Sequence, residues 1–172
     1  KVAVFTSKQG FPSPAPPQFA ALRKNTELVT VGIGGNDIHL VELTASCINP
    51  AATATSRQCA PRPGGRDKVG ATINAFGPKY DKVIAGVRER SPKARILLVG
   101  YPYGIRPGGC PGRQPMGGPD ATYIQDKISQ LNRVMKVRAE ANGAVCAWVA
   151  KRVTQEFSAA FNSVSCSVMF IR

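Results

Sequence analysis

An α/β fold built on a parallel sheet is what this sequence predicts, and three features of its apolar pattern predict it. Two short runs rich in branched apolar residues, Glu27-Leu28-Val29-Thr30-Val31-Gly32-Ile33 and Arg95-Ile96-Leu97-Leu98-Val99-Gly100, read as buried strands. Between them, Val69, Ile73, Phe76, Tyr80, Val83, Ile84 and Val87 recur at helical spacing. Strand, long helix and strand in that order describe a right-handed crossover in a parallel sheet covered on both faces. A length of 172 residues suits one sizeable core better than two. The expected organisation is a proline-rich arm over 1–17 and one α/β domain over 18–172.

Each element has a local reason. The arm carries Ser13-Pro14-Ala15-Pro16-Pro17 and no acidic residue, which favours extended backbone. Gln18 to Lys24 suits a short helix, and the first strand then runs until Gly34-Gly35 stops it. One or two helical turns are expected over Ile38 to Thr44, and after them a polar loop from Cys47 to Cys59. The breakers Pro61-Arg62-Pro63-Gly64-Gly65 lead to Asp67, a natural helix cap, although Gly77-Pro78 should kink or split the helix that follows. Ser91-Pro92 ends that helix.

Beyond the second strand, the Gly- and Pro-dense stretch Tyr101 to Pro119 is a loop. A further helix begins near Pro119, turns Ile124, Ile128, Leu131 and Met135 to one side, and ends at Asn142-Gly143. Ala144 to Val149 fits a third strand and Ala150 to Phe161 a last helix, before an apolar end over Val168 to Ile171.

The formal net charge is +13, with a pI near 10.0. Such a balance draws the chain toward anionic surfaces by long-range electrostatics. Its basic residues are dispersed and not interleaved with aromatics, so a solvated basic face is expected and a dedicated nucleic-acid surface is not. No apolar run approaches the roughly 18 to 20 residues of a membrane span. Lys1 is followed by only four apolar residues before polar ones, so no signal peptide is expected within this sequence.

Five cysteines is an odd number. Cys47 and Cys59 bracket a polar loop and Cys110 sits among Gly and Pro, the pattern of a disulfide-stapled secreted enzyme with one thiol left over. Zinc is disfavoured, because no close Cys pair occurs and the only histidine, His39, is not spaced as a partner ligand.

Ligands of open parallel sheets gather at the carboxyl ends of the strands, which is where Gly34-Gly35-Asn36-Asp37 lies. A glycine pair lets backbone approach a substrate closely, and the amide of Asn36 can donate to an oxyanion that forms in a transition state. Asp37 is better placed to tie down the turn than to react. The competing structural reading is a tight turn capped by Asx side chains. Nucleotide binding through Gly32-x-Gly34 is disfavoured, since Asp37 stands where a third glycine is needed and its charge repels a pyrophosphate.

In its context, Leu28 to Asp37 resembles the third conserved block, G-x-N-D, of the GDSL/SGNH hydrolases in the form of secreted actinobacterial esterases and lipases. Ser91 to Pro102 is similar to the following strand of that family, and Leu131-Asn132 with Ala141-Asn142-Gly143-Ala144 to its next helix and strand entry. The resemblance covers about 16–144. It implies a flavodoxin-like three-layer α/β/α sandwich, ester hydrolysis, Asn36 with Gly34 at the oxyanion site and Asp37 as support. It implies a small-molecule or lipid ester as substrate, no cofactor or metal, an extracellular place and a monomer when complete. It also suggests a Cys47–Cys59 bridge and a second from Cys110 to Cys146 or Cys166.

Two blocks of that family are not in this sequence. No Gly-Asp-Ser occurs, and the serines upstream of Asn36, Ser7 and Ser13, lie in the proline-rich arm. Nothing after Gly143 is Asp or His, so no Asp-x-x-His supplies base and orienter. His39 is a weak candidate for the base, being two residues past Asp37, where the family has no catalytic histidine. The resemblance therefore implies a fold without its first strand and its normal C-terminal end, inactive alone. The alternative is a non-catalytic remnant or binding module of the same fold.

Overall fold

The computed structural model describes residues 16–110 and 113–147. Residues 1–15 of the expected arm, the expected helix over 150–161 and the apolar end after it lie outside the described residues. A parallel sheet of three strands, in the order β1-β2-β3, is formed by β1 (Leu28–Val31), β2 (Arg95–Val99) and β3 (Val145–Ala147). Leu28 pairs with Arg95 and Leu97 with Val145, which sets the register. Three helices connect the strands: α1 (Leu40–Ser46) and α2 (Lys68–Arg90) between β1 and β2, and α3 (Gly118–Ala141) between β2 and β3.

Alternation along the strands decides what is buried. Val29, Val31, Ile96, Leu98 and Cys146 point to the side packed by α2 and α3, where Ile73, Tyr80, Val87, Leu131 and Met135 complete the main core. Residues of opposite parity face away: Leu28 and Val145 are each 58% exposed, and Leu97 and Val99 are half-buried. Coverage of both sheet faces was the expectation. Among the described residues, helices layer only one.

Of the kink or split expected at Gly77-Pro78, the split does not occur, for α2 is continuous through Pro78. Proline removes the hydrogen bond to the carbonyl four residues back, here Asn74. Both Asn74 and Pro78 are exposed, so water can satisfy that carbonyl and the ring displaces nothing. Its neighbour Gly77 is buried, with Arg138 and Val134 of α3 3.0 and 3.4 Å from where a Cβ would stand. Close approach of α2 and α3 thus uses the same dipeptide that the sequence marks as a breaker.

Other boundaries follow their local signals. Asp67 caps α2 by accepting from Gly70 N–H at 2.8 Å, Ser91 closes it, and Pro119 opens α3. Gly143, with φ of 62°, turns the chain out of α3 into β3. Gln18–Ala21 forms a single 3-10 turn and not the longer helix expected, because Leu22 is already extended.

Candidate functional site

Beyond the end of β1 the backbone folds back on itself. Gly34 takes φ of 119°, a region that L side chains rarely adopt, and its carbonyl accepts from Asp37 N–H at 2.9 Å and Ile38 N–H at 3.1 Å. Leu40 N–H donates to Gly35 C=O at 2.9 Å, which joins the turn to α1.

Two tyrosines from other elements brace this turn. The buried Tyr80 of α2 donates its hydroxyl to Ile33 C=O at 2.9 Å, and it stacks edge-on against Phe76 at 5.0 Å. Tyr101, just after β2, accepts from Gly35 N–H at 2.7 Å. Burial raises the ionisation of Tyr80 above the ordinary phenol range, with the charges of Tyr101, Asp37 and Cys146 acting the same way. Burial does the same for Tyr101, and the charge of Asp37 adds to it, against the opposing effect of the Gly35 N–H. Both phenols are therefore neutral near pH 7.

Asn36 stands at the crest of the turn, exposed, while Gly34 and Gly35 below it are buried. Its amide makes no hydrogen bond among the described residues, so both donors are available to a ligand. Asp37 is half-buried beside it. The sequence grouped Gly34, Asn36 and Asp37 as one site, and the structure keeps them in a single braced turn.

His39 is at the N-terminal end of α1 in the left-handed region, φ 55° and ψ 43°. Its side chain is exposed, with Nδ1 3.5 Å from Glu42 Oε1. No described serine bonds to it. Ser91 is buried and donates to Arg23 C=O at 2.8 Å, Ser46 donates to Leu43 C=O, Ser56 pairs with Thr53 and Ser129 accepts from Gln125. Ser7 and Ser13 lie outside the described residues.

The loop after α1 is anchored by groups the sequence did not single out. A Cys47–Cys59 disulfide spans a separation of 12, as the resemblance suggested. Its far end is gripped by Asp120 of α3, fully buried, whose carboxylate accepts from the N–H groups of Gln58, Cys59 and Ala60 at 2.7, 3.0 and 2.8 Å. Cys110 is also disulfide-bonded, and Cys146 is free, which removes Cys146 as its partner. Strand parity is the reason: β3 directs the Cys146 side chain into the core. Cys166 lies outside the described residues.

A second cluster joins α2 to α3. Asp67 is paired with Lys127 and accepts from the Tyr123 hydroxyl at 2.8 Å. Burial opposes ionisation of Asp67, yet hydrogen bonds from Lys127, Gly70 N–H and Tyr123 outweigh it and hold the carboxyl below its ordinary value. Burial and then Asp67 push the Tyr123 phenol up. These groups and Arg57 border a cavity of about 670 Å³ that includes no residue of the Gly34–Asp37 turn. Among the described residues, no three His, Cys, Asp or Glu side chains gather as a metal site.

Sequence reasoning found the turn through its glycines and missed both braces. Tyr101 carried a usable signal, since it stands at the carboxyl end of β2, where the rule that singled out Gly34 applies equally. Tyr80 carried none, for it occupies an ordinary core position of a helix.

The chain is similar to proteins named as lipases and to one named as a phospholipase. The chain is 31% identical over 151 residues to Lipase 2 of Streptomyces coelicolor, covering 84% of this chain and 50% of that protein. It is 27% identical over 127 residues to Lipase 1 of the same organism, covering 73% of this chain and 44% of that one. It spans about half the length of these curated relatives. Among solved structures, phospholipase A1 of Streptomyces albidoflavus NA297 superposes with a TM-score of 0.65 at 23% identity, over 90% of this chain and 63% of that one. An extracellular lipase of Streptomyces rimosus superposes with a TM-score of 0.58 at 22% identity, over 77% and 54%. Both likenesses place the three-stranded sheet and its helices in the α/β fold of the SGNH hydrolases. The model of the GDSL-like lipase/acylhydrolase family matches residues 5–164, so the chain belongs to that family of esterases and lipases.

Proposed function

We propose that this chain carries the oxyanion-binding part of a carboxylic ester hydrolase, with the side-chain amide of Asn36 as donor. One observation supports the reading above others: Asn36 is exposed on a turn whose own backbone groups are bound elsewhere. In such a reaction a serine hydroxyl adds to the ester carbonyl and a histidine takes its proton. The carbonyl oxygen becomes an oxyanion that Asn36 Nδ2–H stabilises; its collapse breaks the bond to the alcohol, which leaves with the proton, and water then adds to the acyl-serine in the same way to release the acid and restore the hydroxyl. Gly34 keeps the backbone narrow at that point, and Asp37 supports the turn. The substrate is an ester of a small molecule or lipid. The Cys47–Cys59 bridge supports an extracellular place, and the net charge of +13 favours contact with anionic surfaces.

Neither Gly-Asp-Ser nor Asp-x-x-His occurs in the sequence, so this chain by itself is expected to give neither ester turnover nor labelling by a serine-directed phosphonate. That same feature favours a second reading, a binding module that holds acyl ligands without turnover. A segment exchange separates the two: the matched region of the Streptomyces coelicolor Lipase 2 is replaced by this chain and assayed on p-nitrophenyl esters. The expected result is turnover that Asn36→Ala lowers by about 10²- to 10³-fold. A cooperatively folded exchange protein whose turnover ignores Asn36→Ala, or that has none, overturns the proposal.

A further inference from the structure

A line of hydrogen bonds runs from α3 through the end of β2 to the turn bearing Asn36. Asn132 of α3, only 4% exposed, grips the backbone of Tyr101 twice. Its Oδ1 accepts from Tyr101 N–H at 2.8 Å, and its Nδ2 donates to Tyr101 C=O at 2.8 Å. That pairing fixes where the Tyr101 ring starts. Its phenol oxygen then accepts from Gly35 N–H at 2.7 Å, one residue before Asn36.

Residue size confirms how close this contact is. A Cβ at Gly35 would stand 2.9 Å from the Tyr101 hydroxyl oxygen, nearer than real Cβ atoms come, so a side chain there would displace the phenol. Two effects follow. The Gly35 N–H is occupied by Tyr101 and does not serve a substrate. The Gly34–Gly35 peptide plane also cannot rotate without breaking a part-buried hydrogen bond, the Gly35 carbonyl of the next peptide, which leads into Asn36, is held by Leu40 N–H, and the Tyr80–Ile33 bond holds the other side of Gly34. A side-chain donor is effective toward an oxyanion only when its orientation is set before charge develops.

We propose that Tyr101, held by Asn132, is the positioning residue of the oxyanion site and acts on the reaction through Asn36. This rests on the assignment of Asn36 made above. In the exchanged Lipase 2, Tyr101→Phe keeps the ring and removes the acceptor; it lowers kcat about tenfold, the worth of one hydrogen bond, and leaves KM unchanged. In the Asn36→Ala background the same substitution has no further effect, because its route to the substrate is gone. Asn132→Asp keeps the acceptor for Tyr101 N–H and loses the donor to its carbonyl, and it reproduces the pattern at smaller size.

Failure of the two ideas is distinguishable. Indifference to Asn36→Ala sinks the oxyanion assignment. A strong Asn36→Ala effect with Tyr101→Phe silent, or fully additive with it, sinks only the positioning role. A measurement on the present chain needs no exchange: ¹⁵N relaxation and amide exchange of the wild type and Tyr101→Phe. The expected outcome is faster exchange at Gly35 and a fall of the Asn36 order parameter below about 0.6. Unchanged values at both residues overturn the proposal.

Discussion

The hydroxyl of Tyr80 donates to the carbonyl of Ile33 at 2.9 Å, and a Cβ added at Gly34 would collide with that same hydroxyl. One phenol therefore closes the end of β1 and forbids a side chain at the first residue of the turn. Tyr80→Phe leaves the Ile33 carbonyl buried without its partner and is expected to cost about 1–3 kcal/mol in urea unfolding. Gly34→Ala should cost more, because the new methyl meets Tyr80 and the φ of 119° is strained for any L side chain. Equal stabilities for the two variants and the wild type would remove the brace.

Stability below about pH 4 should depend on Asp67. Its folded carboxyl is held below the ordinary value, so it binds fewer protons than in the unfolded chain. The stabilisation is complete above the unfolded pKa and is lost as pH falls toward the folded one. Denaturation of the wild type between pH 5 and 2 should show this loss, and Asp67→Asn should be less stable at neutral pH with a shallower acid limb. Parallel curves for the two proteins would contradict it.

The loop from Cys47 to Cys59 is held at one end by covalent closure and by three N–H bonds to Asp120. Replacing both cysteines by serine is expected to lower stability by about 2–3 kcal/mol, given the loop length. Asp120→Ala strands three donors and should cost at least as much, roughly 2–4 kcal/mol, even with the disulfide intact. Chemical unfolding of the two variants and their combination measures both. A fully additive combination would show that bridge and carboxylate act independently.

Leu28 and Val145 project from the side of the sheet that carries no helix among the described residues, with Leu97 and Val99 between them. Exposed apolar surface on such a sheet face favours association between copies. Sedimentation velocity at micromolar concentration should show species larger than a monomer, and Leu28→Lys with Val145→Lys should shift the distribution to monomer. A wild-type chain that melts cooperatively as a monomer would contradict this.

Much of this architecture is legible in the order of residues because its causes are local or periodic. Branched apolar runs ending in glycine gave β1 and β2, recurrence at helical spacing gave α2 and α3, and Asp67, Pro119 and Gly143 marked their ends. Gly34-Gly35-Asn36-Asp37 was legible for the same reason, since glycines beyond a strand announce a turn that a side chain would block. Pro78 misled because its cost depends on what faces the freed carbonyl of Asn74. Asn74 and Pro78 are both exposed here, and no local rule reports that.

What the sequence by itself determined, then, are the strands and long helices found among the described residues, their parallel order and the glycine turn that follows β1. Which residues hold that turn was decided only in three dimensions. Tyr80 and Tyr101 are separated from it by tens of residues and reach it, and Asn132 reaches Tyr101, because α2, β2 and α3 pack together around one side of the sheet. The free state of Cys146 was likewise decided there, by the strand parity that turns its thiol into the core. Hydrogen bonds and disulfides depend on distances of a few ångströms, and a chain's linear order fixes such distances only between near neighbours.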